Sequence, residues 1–396
     1  MRSGFRLLVS RFLSAINRAT AIACARLSVR SAIRNRPGLS PPFLKILVIR
    51  LDMIGDAVLM SPFYRELKRN LPGARITALV GDSAAPLVES DPHVDQVIVS
   101  KPVKNWHRLI VPQLAAHYRL AKLLRPVGFD LIVCPRYERD ERAAYVLASM
   151  VDRSRVLAYD NDVAYRGLFG LQLKKDAGGK HEVQRNLDIL RSLGMVIKDD
   201  AVSAYPSSED SAIADTLLSQ LSANTVKVAL GIGSSTPANR WPIGKYAELV
   251  GCLAGAQSLS LVLVVGPGED PLAADLAGQV NVPLVKTTGL TLLQLAALLR
   301  KCDLFVGNDS GPGHIAAGVG CRTVTVFSHW AGAPSGHRKS PERFRPWGDE
   351  RFHRVVRPLT PLDGCTVCCS SSTPHCILNV GVDDVLDACR IVLNSK

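Results

Sequence analysis

A stretch of small, polar and glycine residues at positions 305–320, FVGNDSGPGHIAAGVG, directly follows an apolar run. A capping residue and then Pro312, whose missing N–H costs nothing at a first helical position, indicate that a helix begins here. The two glycines would let a ligand approach the backbone, and the histidine would add a side-chain donor. The pattern predicts an anion site at a helix N-terminus. Its candidate residues are Asp309, Ser310, Gly311, Gly313 and His314.

Glycine-rich turns of this kind also bind dinucleotides, but that use requires an acidic residue about 20 residues further on to hold the ribose. No Asp or Glu occurs between Asp309 and Glu342. The sequence therefore disfavours NAD and predicts a phosphate site of another kind. A purely structural helix cap is the alternative.

A second candidate, Asp56, lies in RLDMIGDAVLMSP at positions 50–62, where a strand passes through a glycine into a helix. A carboxylate in the first turn of a helix is stabilised as the anion. The local pattern alone favours a helix cap, and a general base that faces a cleft is the alternative.

Two further loops follow predicted strands. In GIGSSTPANRWPIGKYAEL, at positions 231–249, a hydroxyl-rich loop and then an arginine offer donors and a cation to a phosphate, although simple packing would also explain the Trp-Pro pair. In VVGPGED, a glutamate just past a strand end suits hydroxyl binding or a helix cap equally. The candidates in these loops are Ser234, Ser235, Arg240 and Glu269.

Four of the ten cysteines lie in CTVCCSSSTPHC, at positions 365–376. A C-x-x-C pair with a later cysteine and His375 would suit a zinc site. A disulfide or redox pair is a second interpretation of the cluster. We favour inert packing without a metal, because structural zinc sites usually show two well-separated ligand pairs. The remaining cysteines are scattered, which indicates a reducing compartment.

Apolar runs rich in β-branched residues alternate with helical patterns along the chain. This alternation predicts an α/β protein of two Rossmann-like, doubly wound parallel sheets facing a central cleft. The polar residues 160–225 between the two series are predicted to be mainly helical. The predicted strands are 44–51, 75–80, 96–100 and 129–134 in the first series and 226–232, 259–266, 302–308 and 322–327 in the second.

The formal net charge of +13 is concentrated at the start of the chain, because residues 1–51 contain ten Arg or Lys and no Asp or Glu. The near balance elsewhere argues against nucleic-acid binding. Within residues 1–35, apolar residues recur at helical spacing beside arginines, which predicts a helix on an anionic membrane surface. A solvated extension and an organellar presequence are alternatives. No apolar run approaches the roughly 18 residues that a membrane span requires.

From about residue 44 to about residue 392, the chain resembles glycosyltransferase family 9, the ADP-heptose:lipopolysaccharide heptosyltransferases. The strings that carry the resemblance are ILVIRLDMIGDAVLMSP, HEVQRNLDILRSLG, RWPIGKYAEL, LTLLQLAALLRKCDLFVGNDSGPGHIAAGVG and the late cysteines. The resemblance implies a GT-B fold with an N-terminal extension at 1–43, an acceptor domain at 44–205 and a nucleotide-sugar domain at 206–396. It also implies an inverting, metal-independent transfer without a cofactor, at the cytoplasmic face of the bacterial inner membrane.

The resemblance implies that Asp56 is the general base. It assigns donor binding to Ser234, Ser235, Glu269, Asp309, Ser310, Gly311 and His314. One position departs from the family: many members carry a lysine just before the RWP string, where this chain has Asn239, which leaves Arg240 as the nearby cation. The alternatives are another nucleotide sugar used for O-antigen or capsule glycan, and a sugar-nucleotide-binding protein without catalysis.

Overall fold

The structure is a computed structural model that describes Thr20, Ala23 and residues 42–101, 110–137, 144–160, 169–174, 178–369 and 371–395. Apart from Thr20 and Ala23, the helix predicted within residues 1–35 therefore lies outside the described residues. No helix in the described ranges has both the length and the apolar composition needed to cross a bilayer. The chain divides into two compact units, to which the described residues of 1–53, 63–176 and 185–198 and those of 54–62, 177–184 and 199–396 belong, respectively.

The first unit contains a six-stranded sheet. Its strands are β1 (Lys45–Arg50), β2 (Arg75–Gly81), β3 (Gln96–Ser100), β4 (Leu131–Cys134), β5 (Val156–Tyr159) and β6 (Leu171–Leu173). They lie in the order β3-β2-β1-β4-β5-β6, and every neighbouring pair is parallel. The inner strands are almost wholly buried, as parallel sheets with helices on both faces require.

Within the part of the chain that the structure describes, five helices alternate with these strands or follow them: α1 (Ile54–Asn70), α2 (Ala85–Glu89), α3 (Ile110–Leu124), α4 (Ala144–Asp152) and α5 (Glu182–Ser192). The core between sheet and helices includes Leu47, Ile132 and Tyr145. The first turns of α1, residues 54–62, group with the second unit rather than the first. This assignment matters because Asp56 lies in those turns.

The second unit repeats the architecture. Its strands are β7 (Val226–Gly231), β8 (Leu259–Val264), β9 (Leu284–Lys286), β10 (Leu304–Asn308), β11 (Arg322–Val326) and β12 (His353–Val356). Its helices are α6 (Ser208–Leu218), α7 (Ile243–Ala256), α8 (Asp270–Gln279), α9 (Leu292–Arg300), α10 (Gly311–Gly318), α11 (Pro341–Phe344) and α12 (Val382–Asn394). The order β9-β8-β7-β10-β11-β12 is that of the first sheet, and it is the doubly wound Rossmann order.

All eight predicted strands are present, so the predicted α/β class with two doubly wound parallel sheets is confirmed. Four strands escaped prediction: β5, β6, β9 and β12. Each has only three or four residues, which is too short for hydrophobic periodicity to predict a strand. Each forms by pairing with a neighbouring strand of its sheet. The expectation that residues 160–225 are mainly helical was therefore incomplete, because β6 lies there beside α5 and α6.

Candidate active site

Strands β7 and β10 are neighbours in the second sheet, although β8 and β9 lie between them in sequence. Gly231, at the end of β7, pairs with Gly307 in β10 and with Val264 in β8. The strand order reverses here, and doubly wound sheets bind ligands outside the carboxyl ends of strands at such a point. The segments after these three strands carry the predicted donor residues: Ser234, Ser235, Arg240, Glu269, Asp309, Ser310, Gly311, Gly313 and His314.

Asn308, the last residue of β10, ties these segments together. Its side chain is fully buried, and its Nδ2 donates to the carbonyl oxygens of Ile232 at 2.9 Å and Gly233 at 3.2 Å. Its Oδ1 accepts from the backbone N–H of Trp241 at 2.9 Å and from the hydroxyl of Tyr246 at 3.1 Å. One amide therefore fixes both ends of the loop after β7 to the end of β10.

Arg240 braces that loop from within. Its Nε and Nη2 donate to the carbonyl oxygen of Ser234 at 3.0 and 2.8 Å. The Ser234 side chain is buried and accepts from the backbone N–H of Thr236 at 3.3 Å, whereas Ser235 is exposed. The loop thus holds its arginine against its own backbone, with one serine inside and one facing outward.

Glu269 occupies the N-cap position of α8, but its side chain makes no cap hydrogen bond. Its Oε2 instead accepts from the backbone N–H of Gly266 at 2.8 Å. The carboxyl group lies against Gly233, so closely that a Cβ atom there would overlap it. The carboxylate therefore points towards the loop after β7, and the simple helix-cap alternative does not describe it.

The helix predicted after β10 begins one residue before Pro312, at Gly311, with Ser310 as its N-cap. The Ser310 hydroxyl donates to the carbonyl oxygen of Asn308 at 3.1 Å and makes no cap bond to the helix. The side chain of the cap residue therefore leaves the backbone N–H groups at the N-terminal end of α10 uncovered, and this end carries the positive pole of the helix dipole. A Cβ at Gly313 would touch the Phe305 ring at 3.3 Å, so this glycine also serves close packing.

The first turns of α1 pack against α10. A Cβ on Gly55 would lie 2.7 Å from Cδ2 of His314, and one on Gly311 would lie 3.0 Å from Cγ2 of Ile54. Glycine at both positions lets the two helix starts approach closely. Asp56, half-buried as the third residue of α1, is thereby brought beside the end of β10 and the first turn of α10.

Two groups in this cluster have shifted pKa values. Burial raises the pKa of Asp309 to about 7, the negative charge of Asp56 adds to this, and the positive charge of Lys339 opposes it. Burial lowers the pKa of His314 to about 4, against the opposing effect of Asp56. His314 is therefore neutral near pH 7. It is 6% exposed, and its Nδ1 has no hydrogen-bond partner among the residues that the structure describes.

Lys339 is the residue of this site that sequence reasoning missed. It lies in the long segment after β11, and its charge acts on Asp309. At position 239, where the resemblance implies a lysine, the Oδ1 of Asn239 accepts a hydrogen bond from the Ser328 hydroxyl at 2.8 Å. No local signal marks Lys339, because only the tertiary fold brings its segment to the end of β10.

The chain is similar to known proteins over most of its length. Residues 117–357 match the family described as glycosyltransferase family 9 (heptosyltransferase). A putative glycosyltransferase of Haemophilus influenzae is 27% identical over 333 residues, which cover 79% of this chain and 89% of that protein. Lipopolysaccharide heptosyltransferase 3 of Escherichia coli is 26% identical over 288 residues, which cover 69% and 80%.

Solved structures show the same fold. A family 9 glycosyl transferase from Veillonella parvula superposes with a TM-score of 0.75 at 18% identity, covering 91% of this chain and all of that one. The E. coli ADP-heptose lipopolysaccharide heptosyltransferase II gives a TM-score of 0.66 at 19% identity and covers 88% and 98%.

Two α/β units of Rossmann strand order, together with these neighbours, define the GT-B class of glycosyltransferases, as the sequence predicted. Within that class, the chain belongs to glycosyltransferase family 9, the heptosyltransferases, and it is a glycosyltransferase.

Proposed function

We propose that the protein transfers a heptose, or a closely related sugar, from an ADP-sugar to an acceptor in the lipopolysaccharide core. Family membership supports the sugar class, and the name of the E. coli relative supports the acceptor. The ADP-sugar is inferred from the E. coli ADP-heptose lipopolysaccharide heptosyltransferase II, which has the same fold. The reaction takes place at the cytoplasmic face of the bacterial inner membrane, without a cofactor.

The observation that carries the mechanism is the position of Asp56 beside Asp309 and His314. In an inverting transfer, the acceptor hydroxyl attacks the anomeric carbon from the face opposite the diphosphate. The new C–O bond forms as the bond to the diphosphate breaks, and the electron pair leaves with the phosphate oxygen. Asp56 accepts the proton of the attacking hydroxyl, which is general base catalysis.

The departing diphosphate gains negative charge, which the second unit stabilises without a metal ion. The N-terminal end of α10 supplies backbone dipoles, and Arg240 and Lys339 supply positive charge. Neutral His314 supplies a ring nitrogen for a hydrogen bond to the donor. Lys339 thus takes the role of the lysine that the resemblance implies just before the RWP string.

Ser234, Ser235 and Glu269 bind the nucleoside and sugar hydroxyls of the donor. The exposed Ser235 and the carboxylate of Glu269 lie on neighbouring segments at the same sheet edge. A carboxylate that is already oriented by the Gly266 N–H accepts hydrogen bonds from the donor's hydroxyl groups without a further loss of side-chain entropy.

A charged cluster in the first unit suits an anionic acceptor. At the ends of β1 and β4, where the strand order of the first sheet reverses, Asp52 forms ion pairs with Arg50 at 2.7 Å and with Arg136. Two arginines and one carboxylate give these three residues a net positive charge. We assign acceptor binding to this edge of the first sheet.

Replacing Asp56 tests the mechanism. Asp56→Asn keeps the shape of the side chain but removes the base, so we expect kcat to fall by about 10²–10⁴-fold. The dissociation constant of ADP, measured by calorimetry, should stay within about threefold because the donor residues are intact. The exposed Asp82→Asn serves as the matched control and should leave both quantities unchanged. Full turnover in Asp56→Asn would rule out the base.

The donor is tested separately by thermal shift with ADP-, GDP- and UDP-sugars. A ligand at 100 times its dissociation constant stabilises the native state by about 2.7 kcal/mol, so a preference for one base is easily measured. A preference for ADP-sugars supports the proposal. A preference for GDP- or UDP-sugars, or no response to any of them, would contradict it.

Residues 1–35 hold the enzyme at the membrane through their positive charge and apolar stripe. Deletion of residues 1–40 should leave turnover with a short soluble acceptor unchanged. Binding to vesicles that contain anionic lipid, measured by co-sedimentation, should fall strongly and should already weaken in wild type as salt is raised. Equal sedimentation of the two proteins would refute this role.

A further inference from the structure

The segment between β12 and α12 brings four potential metal ligands together: Cys365, Cys369, His375 and Cys376. Their ligand atoms all lie within 4.8 Å of one another. The Nδ1 atom of His375 lies 3.6 Å from Sγ of Cys365, 3.9 Å from Sγ of Cys369 and 3.5 Å from Sγ of Cys376. Three sulfurs therefore surround one ring nitrogen.

These separations agree with tetrahedral coordination. Zinc–sulfur bonds of about 2.3 Å and zinc–nitrogen bonds of about 2.0–2.1 Å at tetrahedral angles place the sulfur and nitrogen atoms about 3.6 Å apart. All three measured separations lie close to that value. Three thiolates and one imidazole are a common structural zinc ligand set.

The fold decides which cysteines take part. Cys369 is 1% exposed and Cys376 is fully buried, whereas the half-buried Cys368 lies outside the group of four. The C-x-x-C motif of the sequence pairs Cys365 with Cys368, whereas the group of four contains Cys369 in place of Cys368. Inert packing, the interpretation that the sequence favoured, does not explain why three thiols surround the Nδ1 atom of a half-buried histidine.

The segment also lacks other means of holding its shape. Among its described residues, the regular structure is a 3₁₀ turn at Cys376–Asn379. Its buried apolar cluster contains Trp330 and Ala333 beside two of the cysteines themselves, which is too small a core to order about twenty residues. None of the cysteines that the structure describes forms a disulfide.

We propose that Cys365, Cys369, His375 and Cys376 bind one Zn²⁺ ion in a closed tetrahedral site. Binding releases the three thiol protons to solvent and leaves no position open for substrate, so the ion acts on the fold rather than on the sugar. The site also holds Lys339, whose Nζ donates to the carbonyl oxygen of Cys369 at 2.8 Å. The metal therefore positions the lysine whose charge acts on Asp309.

Metal analysis of the full chain tests the site. Wild-type protein purified under reducing conditions should contain about one zinc per chain, and so should the matched control Cys368→Ser. Cys369→Ser should lose nearly all of it. Loss of zinc in both variants, or no zinc in wild-type protein after incubation with zinc and removal of the excess, would overturn the proposal. Iron in the same ligand-dependent amount would overturn the choice of metal.

A second measurement covers the case in which Cys369→Ser does not fold. Wild-type protein is stripped with a chelator and loaded with Co²⁺, and its visible spectrum should show the thiolate charge-transfer and ligand-field bands of a tetrahedral sulfur-rich site. The stripped protein should also show a donor KM raised on the order of tenfold, restored by zinc. An octahedral cobalt spectrum would contradict the ligand set, whatever the protein's transferase activity proves to be.

Discussion

The imidazole ring of His314 lies against the backbone of Gly55, so closely that a methyl group on that glycine would come within 2.7 Å of Cδ2. This contact joins the helix start that carries Asp56 to the helix start proposed to bind the diphosphate. The spacing between the proposed base and the donor therefore depends on the absence of a side chain at position 55.

Gly55→Ala should consequently be harmful, although alanine is normally the better helix residue. We expect a loss of about 1–3 kcal/mol in the free energy of unfolding from overpacking, together with a kcat at least tenfold lower. Gly251→Ala is the matched control, since position 251 lies inside α7 with open space around it, and it should stabilise the protein by about 0.5–1 kcal/mol. Urea denaturation of both variants measures whether the free energy of unfolding falls for Gly55→Ala and rises for Gly251→Ala.

Asp309 should make stability fall as the pH rises. Its pKa is raised by burial, and further by Asp56, to about 7 from an ordinary value of 3.8. The folded protein binds this proton more tightly than the unfolded chain does. Its stabilising effect is therefore complete below pH 3.8 and is lost as the pH rises through 7.

Asp309→Asn removes this dependence, because asparagine does not ionise. Its stability relative to wild type should increase by about 2 kcal/mol between pH 5 and pH 8. Urea midpoints of both proteins at several pH values measure the effect. A constant difference between them would show that the carboxyl group titrates normally.

Much of this site was predictable because its signals are local. A continuous apolar run predicted β10, and the residues that follow it predicted a helix start, as observed. The expected side-chain cap is absent, because the Ser310 hydroxyl donates to the carbonyl oxygen of Asn308 instead. Asn308 illustrates the limit: its neighbours in the sequence do not reveal that its side chain binds a loop about 70 residues earlier.

The same limit explains the other misses. Lys339 is marked by no periodicity, and the two groups on which it acts, the Asp309 carboxyl group and the carbonyl oxygen of Cys369, each lie about 30 residues away along the chain. The short strands β6 and β12 exist because of the strands beside them, not because of their own composition. These features depend on contacts between residues that are far apart along the chain, and a single sequence does not reveal such contacts.

The Asn308 network should be a large contributor to stability. Asn308→Ala would leave two carbonyl oxygens and the N–H of Trp241 buried without their partner. Unsatisfied buried groups cost about 1–3 kcal/mol each, so we expect a total loss of about 3 kcal/mol after relaxation. The exposed Asn281→Ala should change stability by less than about 0.5 kcal/mol. Thermal or urea unfolding of both variants measures whether the network contributes this much to the free energy of unfolding.

The contact between Gly233 and Glu269 permits a double-mutant test. A Cβ atom on Gly233 would overlap the Glu269 carboxyl group, so Gly233→Ala must displace it from the Gly266 N–H. We expect Gly233→Ala to cost about 1–3 kcal/mol of stability and to raise the donor KM about as much as Glu269→Ala does. Once Glu269 is truncated, the space is free, and Gly233→Ala should add little further loss. The cycle should thus show a coupling energy of about 1 kcal/mol or more. Additive effects on both stability and KM would mean that the carboxylate has another position of equal energy, and the proposed donor contact would fail.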